Sequence, residues 1–282
     1  PDLTFAATIN AVLHANAIPV IVDVEEDSWC ISAKEIEKAI TPKTKAIIPV
    51  HLYGQPCDMG AIMDIAKKYK LKVIEDCAEA HGAIFNNQKV GSFGDIGCFS
   101  FYGNKVITTG EGGMCTTNNL ILINKMRILR DHGMSKEKRY WHEVVGYNYR
   151  MTNLQAAIGV AQLERIENIH KNRREYELQY REMLSERNFT FQNDLEGRQR
   201  ITWLVSFLVD NNTNRDEYID SLQLNGMDAR PFFYPLSSMD IYKKYCSKSS
   251  HIANKIANSG LNLPTYESLK SIAEIGRIFS NV

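Results

Sequence analysis

Leu71-Lys-Val-Ile-Glu-Asp76, Ile96-Gly-Cys-Phe-Ser-Phe101 and Gly113-Met-Cys-Thr-Thr117 decide the architecture of this 282-residue chain. Each run is short, rich in apolar or β-branched residues and bounded by glycine or polar residues, as a buried strand is. Working outward, residues 18–24 and 46–50 read as two earlier buried strands. Between them Ser32 heads a helix, with Glu35 three residues on as a capping box. Asp58 caps another, whose apolar Ile62, Ile65, Ala66 and Tyr69 recur at helical spacing and leave Lys67, Lys68 and Lys70 to solvent. Strands alternating with helices predict an α/β fold around a mostly parallel sheet. The residues between 101 and 113 leave no room for a crossover helix, so the strand at 113–117 is expected to run antiparallel.

Beyond it the pattern predicts a helix over about 120–130, then one long helix or two in tandem over 152–187. Strands at 202–209 and 228–233 flank a helical stretch at 217–224, and helical segments are expected from there to the end. The division this implies is a large domain over 1–183 with its connecting helix and a smaller α/β domain over 184–282. Lys and Arg number 33 against 33 Asp and Glu. Zero net charge leaves no electrostatic footprint for nucleic acid or an anionic membrane. No apolar run approaches the roughly 18 residues that a spanning helix needs. The six cysteines form no C-x-x-C pair, and none of the seven histidines pairs with another at ligand spacing. The expectation is a soluble cytoplasmic protein with no disulfide framework and no metal site.

Open α/β sheets bind ligands at the carboxyl ends of their strands. Asp76 closes one strand there and needs a cationic or hydrogen-bonding partner, or serves only to cap the next segment. Ser100 and Lys105 bracket the next strand end. A lysine between aromatic residues and a glycine-rich turn is a candidate Schiff-base nucleophile, although a surface lysine in a loop would read the same way. Gly110, Gly112 and Gly113 match neither a Walker A loop nor a dinucleotide fingerprint.

Five ordered segments narrow these alternatives: Glu75-Asp-Cys-Ala-Glu-Ala-His-Gly82, Gly91-Ser-Phe-Gly-Asp95, Phe99-Ser-Phe-Tyr-Gly-Asn-Lys105 with Thr108-Thr-Gly-Glu-Gly-Gly113, Gly146-Tyr-Asn-Tyr-Arg-Met-Thr-Asn-Leu-Gln-Ala-Ala157, and Arg230-Pro-Phe-Phe-Tyr-Pro-Leu236. Together they resemble the pyridoxal-phosphate-dependent sugar-nucleotide aminotransferases of the DegT/DnrJ/EryC1/StrS family, over nearly the whole chain. The resemblance implies aminotransferase fold type I, built on a mostly parallel seven-stranded type of sheet. It implies that Lys105 bonds the cofactor as a Schiff base and later shuttles the proton, while Asp76 keeps the pyridine nitrogen protonated so that the ring acts as an electron sink. Phe5 would stack on the ring, Glu79 would face the cofactor hydroxyl where glutamine is common, Ser100 would donate to the phosphate, and Asn148 would reach the cofactor phosphate of a neighbouring subunit in a homodimer. Arg230, Phe232 and Tyr234, with Phe233, would meet the diphosphate and the base or sugar. His81 reads as a structural or substrate-side residue, and Ser237 stands where a histidine is frequent.

The implied reaction moves an amino group from L-glutamate to a ketone of a nucleotide-linked 4-keto-6-deoxy sugar. The segment from Gly103 to Met114 looks most like the subgroup that aminates C-4 of a GDP-linked sugar, with C-3 amination of another nucleotide sugar left open. Two rivals are weighed. A dehydratase of the same family would replace the lysine with histidine, and Lys105 argues against it. A catalytically inactive regulatory module would expose a basic recognition surface, which a chain of balanced charge lacks. Family members also carry, ahead of the segment beginning here at Pro1, a strand and a helix whose N-terminus holds a Gly-Thr pair on the phosphate. The expectation is that such a segment has been lost and that cofactor binding is weakened with it.

Overall fold

The computed structural model describes residues 1–246, 250–266 and 272–280; the helical run expected toward the C-terminus falls partly outside them, at 247–249, 267–271 and 281–282. In the first half, α1 (Ala7–His14) and α2 (Ala33–Ala39) precede β1 (Ala46–Ile47), α3 (Met59–Tyr69) and β2 (Lys72–Asp76). Then come β3 (Ile84–Phe85), β4 (Gln88–Lys89), β5 (Ile96–Ser100), β6 (Gly113–Thr116) and α4 (Leu120–Arg130). Asp58 caps α3 as read, accepting the Ala61 N–H at 3.0 Å; at α2 the Ser32 hydroxyl accepts the Glu35 N–H at 3.4 Å, but the Ser32 N–H goes to the Asp23 carbonyl at 3.2 Å and the Glu35 carboxylate to Lys38, so the reciprocal half of the capping box does not form.

The main sheet has the order β1-β2-β5-β6. β1, β2 and β5 run parallel, and β6 is antiparallel to β5, with Ser100 opposite Gly113. A twelve-residue link too short for a crossover helix leaves that arrangement as the accessible one. Residues 18–24 do not join the sheet. They make only isolated bridges, Ile21 to Cys246 and Val24 to Ile31, and Ile18 and Val20 are 82% and 54% exposed. Ile18, Val20 and Val22 line, together with Ala46, Ile47 and Ile48, a cavity of about 620 Å³. The β propensity of the run is not realised as a ladder, because a strand needs a neighbouring edge.

The helical stretch after residue 152 is two helices in tandem, α5 (Asn153–Leu163) and α6 (Ile166–Met183). A second sheet follows from β7 (Thr190–Phe191), β9 (Val205–Leu208), β10 (Arg230–Pro231) and β11 (Gly260–Leu263), in the order β10-β11-β9-β7, with α7 (Arg215–Leu224), α8 (His251–Ser259) and α9 (Ile272–Ser280) around it; β8 (Arg198–Gln199) instead pairs with β3. β11 corrects the expectation of helical segments alone to the end of the chain. Its four residues are all buried and pair on both sides, so tertiary burial overrides a segment too short to show a period of its own.

Among the described residues two large apolar clusters fill the molecule, with a small third one around Ile9, Ile21, Leu236 and Tyr242. One packs Trp29, Leu52, Tyr53, Met59 and Ile62 beneath the main sheet and takes in Ile201, Trp203 and Phe232 from the second half. The other surrounds Phe207, Leu222, Leu261 and Leu263. The seam between the halves is tight at Gly54, whose φ is +92° and where a Cβ would lie 2.0 Å from the Ile201 carbonyl oxygen. Only glycine lets the chain turn there and approach so closely. Across the same seam the buried Glu177 of α6 accepts from Arg200, Thr202, Arg174 and Arg181. Burial works against its charge, but the hydrogen bond and charge of Arg200, with Thr202 and Arg174, hold its carboxyl down at about 2.

Candidate active site

The carboxyl ends of β2 and β5 open on one side of the main sheet. Asp76 ends β2, half-buried, with Oδ2 accepting from the Thr8 hydroxyl at 2.8 Å and Oδ1 from the Ala78 N–H at 3.1 Å. Both oxygens are thus oriented before any ligand is present. Its neighbour Glu75 points to the other face of the strand, by the twofold alternation of side chains. There it accepts from the N–H groups of Gly91, Phe93 and Gly94 and from His51 Nε2 at 3.2 Å. Burial opposes the charge, yet His51 and these N–H groups hold the Glu75 carboxyl below its usual value. His51 Nδ1 accepts the Cys57 N–H at 3.0 Å. Both ring nitrogens are therefore engaged, and His51 and Glu75 belong to one hydrogen-bond network with the Cys77 thiol within 4.8 Å of them.

Glu79 follows in the turn after β2, 4% exposed, and accepts the Tyr53 N–H at 2.8 Å. Tyr53 is held in the left-handed region, at φ 51°, to direct that N–H inward. The Oε1 of Glu79 stands 3.8 Å from Lys105 Nζ. Burial pushes the Glu79 carboxyl up to about 7, against the opposing pull of Lys105 and the Tyr53 N–H, and nearby Asp76 adds to the rise. Lys105 lies in the turn after β5, its N–H bonded to the Tyr102 carbonyl at 3.0 Å. Its ammonium sits 4.1 Å from the centroid of the Trp203 ring. Carboxylate on one side and indole face on the other place this amine within the fold, not on a free loop.

The remaining expected residues are distributed as follows. Ser100 ends β5, half-buried, its hydroxyl accepting the Tyr102 N–H at 3.3 Å. Phe5 is 59% exposed, with its ring centroid 5.6 Å from that of Phe233. His81 is buried, its ring 5.6 and 5.9 Å from Phe99 and Phe101, and burial pushes it down to about 4, so it is neutral at pH 7. Phe232 is an interior residue, 1% exposed, packed on Trp29 and Tyr53. Arg230 is exposed and forked onto Asp228 at 2.8 and 3.1 Å, and Tyr234 is 57% exposed. Asn148 lies on the surface, its backbone bridged to Asp131. Ser237 donates both its N–H and its hydroxyl to the buried Asp2, at 2.7 and 2.6 Å.

The fold therefore brings Asp76, Glu79 and Lys105 into one electrostatic group. It adds three residues that sequence reading missed. Thr8 carried a signal, lying in the segment Thr4-Phe-Ala-Ala-Thr8 one helical turn from Phe5. Tyr53 precedes a glycine, a pair suited to a tight turn. Trp203 carried none.

An amine that can condense with an aldehyde, a preoriented carboxylate that can pair with a ring nitrogen and an exposed flat aromatic surface form a donor set that fits pyridoxal phosphate. Comparison with known proteins agrees. Residues 1–282 match the model of the DegT/DnrJ/EryC1/StrS aminotransferase family. The GDP-perosamine synthase of Caulobacter vibrioides is 44% identical over 99% of this chain and 76% of its own length. That of Vibrio cholerae is 41% identical over 95% of this chain and 74% of its own. The PLP form of Spr1654 from Streptococcus pneumoniae superposes with a TM-score of 0.91 at 25% identity, covering 99% of this chain and 78% of that one. With its strand-end acid, its lysine and a match along its full length, this chain belongs to the DegT/DnrJ/EryC1/StrS family of pyridoxal-phosphate-dependent aminotransferases of fold type I.

Proposed function

We propose that the chain transfers the amino group of L-glutamate to the C-4 ketone of a GDP-linked 4-keto-6-deoxy sugar. The observation that carries this reading is the group Asp76, Glu79 and Lys105, set in a chain that is 41% and 44% identical to two GDP-perosamine synthases. When bound, the cofactor supplies an aldehyde and a protonated ring that accepts electrons. The rest is the work of this chain's residues. Lys105 Nζ is the group that would hold the cofactor through its aldehyde, and as a free amine it would move a proton at the substrate carbon. Asp76, held by Thr8 and Ala78, would face the ring nitrogen. Glu79, titrating near neutrality, can hold a proton toward the ring hydroxyl and so avoid repelling it. Phe5 offers its exposed face to the ring and Ser100 its hydroxyl to the phosphate. His81, Arg230, Phe232 and Tyr234 serve the nucleotide sugar, Phe232 and His81 from the interior and Arg230 and Tyr234 from the surface.

The same reading includes a homodimer. Helices α4 and α5 contain no buried residue, and Leu120, Ile121, Leu154, Ile158, Val160 and Leu163 are exposed on them. Apolar area of that extent is the mark of an interface, and Asn148 lies in the stretch between the two helices. The reading also keeps the division into 1–183 and 184–282, supported by the end of α6 at Met183, and a cytoplasmic setting. Among the described residues no helix is long and apolar enough to cross a membrane.

The deciding experiment has two stages. Protein incubated with pyridoxal phosphate is reduced with borohydride and the labelled peptide is mapped, with Lys105 the expected position. The labelled protein's unreduced counterpart is then given glutamate and a panel of keto-sugar nucleotides. A label elsewhere, or none, defeats the catalytic assignment, and turnover of a different nucleotide sugar replaces the substrate.

A further inference from the structure

Lys105 is held from the far half of the chain by one side chain. Trp203 lies just before β9, 3% exposed, and its ring centroid is 4.1 Å from Lys105 Nζ. Its indole N–H donates to the carbonyl of Asn104, the residue before the lysine, at 2.7 Å. Trp203 is itself fixed. Its carbonyl accepts from Arg173 and from the Thr265 hydroxyl, each at 2.6 Å, and Arg173 also reaches the Lys105 carbonyl at 3.4 Å. Its ring stacks on Tyr53 with 6.1 Å between centroids, and the Tyr53 N–H holds Glu79. One tryptophan thus touches the main chain at 104, the amine at 105 and the residue that orients the opposing carboxyl.

We propose that Trp203 is a positioning residue for Lys105, its indole face seating the amine whenever that amine is not bonded to cofactor and its N–H fixing the turn from which the side chain springs. The physical ground is twofold. A cation is attracted by the negative face of an indole, more strongly when water is excluded. A turn anchored at Asn104 limits the arc that the lysine stem can sweep, which matters because proton transfer depends on placement within a fraction of an ångström. Glu79 alone, at 3.8 Å, is a loose partner that leaves one side of the amine open. The ring closes that side. Since Trp203 belongs to the second half of the chain and Lys105 to the first, the seam between them becomes part of the catalytic geometry.

This inference rests on the reading of Lys105 as the cofactor-bonding residue. Its test compares the parent chain with Trp203→Phe, which keeps an aromatic face but removes the N–H, and Trp203→Leu, which removes both. Two quantities are read: the rate at which pyridoxal phosphate is trapped on Lys105 by borohydride, and kcat and KM for glutamate. Trp203→Leu is expected to slow trapping and to lower kcat by about 10- to 30-fold with KM within about 2-fold, and Trp203→Phe to recover part of both losses, about 3-fold below the parent. A packing defect alone would lower the amount of folded, trappable protein and leave the trapping rate and the kcat per trappable site at parent values, so kcat is counted per site labelled. Should the leucine variant not fold, the phenylalanine variant decides by the same two readings. Parent rates in the folded variants, with Lys105 labelled, overturn this inference alone. Absence of label on Lys105 in the parent overturns the assignment of the lysine and this inference with it.

Discussion

Glu79 Oε1 and Lys105 Nζ stand 3.8 Å apart, with the acid buried and the amine roofed by Trp203. A buried carboxyl beside a single cation is only part-compensated, which is why burial still pushes Glu79 up to about 7. Its titration therefore falls in the working range of pH.

The sign of the resulting stability change follows from that value. With a folded pKa near 7 against the ordinary 4.5, the folded state binds more protons between those limits, so this group's contribution falls as pH rises from about 4.5 through 7. Over that window the loss is on the order of 3 kcal/mol. Glu79→Gln keeps an acceptor for the Tyr53 N–H and has no proton to lose. Unfolding in urea at pH 5 and pH 8 should show a smaller decline in the variant than in the parent, and equal declines would show that Glu79 ionises as an ordinary carboxyl.

Glu177 behaves in the opposite sense. Its folded pKa, about 2, lies below the ordinary 4.5, so its contribution is fully present above about 4.5 and is lost as pH falls toward 2. Glu177→Gln leaves the cationic groups of Arg200, Arg181 and Arg174 without their shared anion and should cost about 3–5 kcal/mol at pH 7. Thermal melting at pH 7 and pH 3 checks this: the gap between variant and parent should narrow at the lower pH.

Lys105→Ala removes the nucleophile while leaving the surrounding turn hydrogen bonds in place. Transamination should fall by about a thousandfold or more, with borohydride-reducible label lost and the far-UV circular dichroism unchanged. Retained turnover of glutamate with a keto-sugar nucleotide would count decisively against the assignment.

For Asp76→Asn the Thr8 hydroxyl keeps an acceptor, so cofactor should still bind. Turnover is expected to drop about a hundredfold, because a neutral amide does not stabilise a protonated ring nitrogen. Absorbance of the bound cofactor and a single-turnover assay separate the two effects, and undiminished turnover would return Asp76 to a structural role.

Much of the main sheet was legible locally. β2, β5 and β6 announced themselves by composition and boundaries, and the shortness of the link at 101–113 alone reversed the direction of the last of them. The strand-end acid and the lysine were likewise readable, because strand ends in such sheets are where polar residues meet ligands. The 18–24 run misled because it has strand composition but finds only isolated bridges, Ile21 to Cys246 and Val24 to Ile31, and no ladder. β11 was missed because four buried residues show no period.

By itself, then, the order of residues determined the main-sheet strands β2, β5 and β6, the helices flanking them, which residues stand at strand ends and which family they spell, since caps, turns and periodicity are short-range properties. Tertiary structure alone decided that Trp203 lies against Lys105 and Tyr53 holds Glu79, that Glu79 is buried enough to titrate near neutrality, and that Phe232 faces the core. Those are matters of distance between segments far apart in the chain. Packing and dielectric depend on what surrounds a group in space, and no local pattern encodes that.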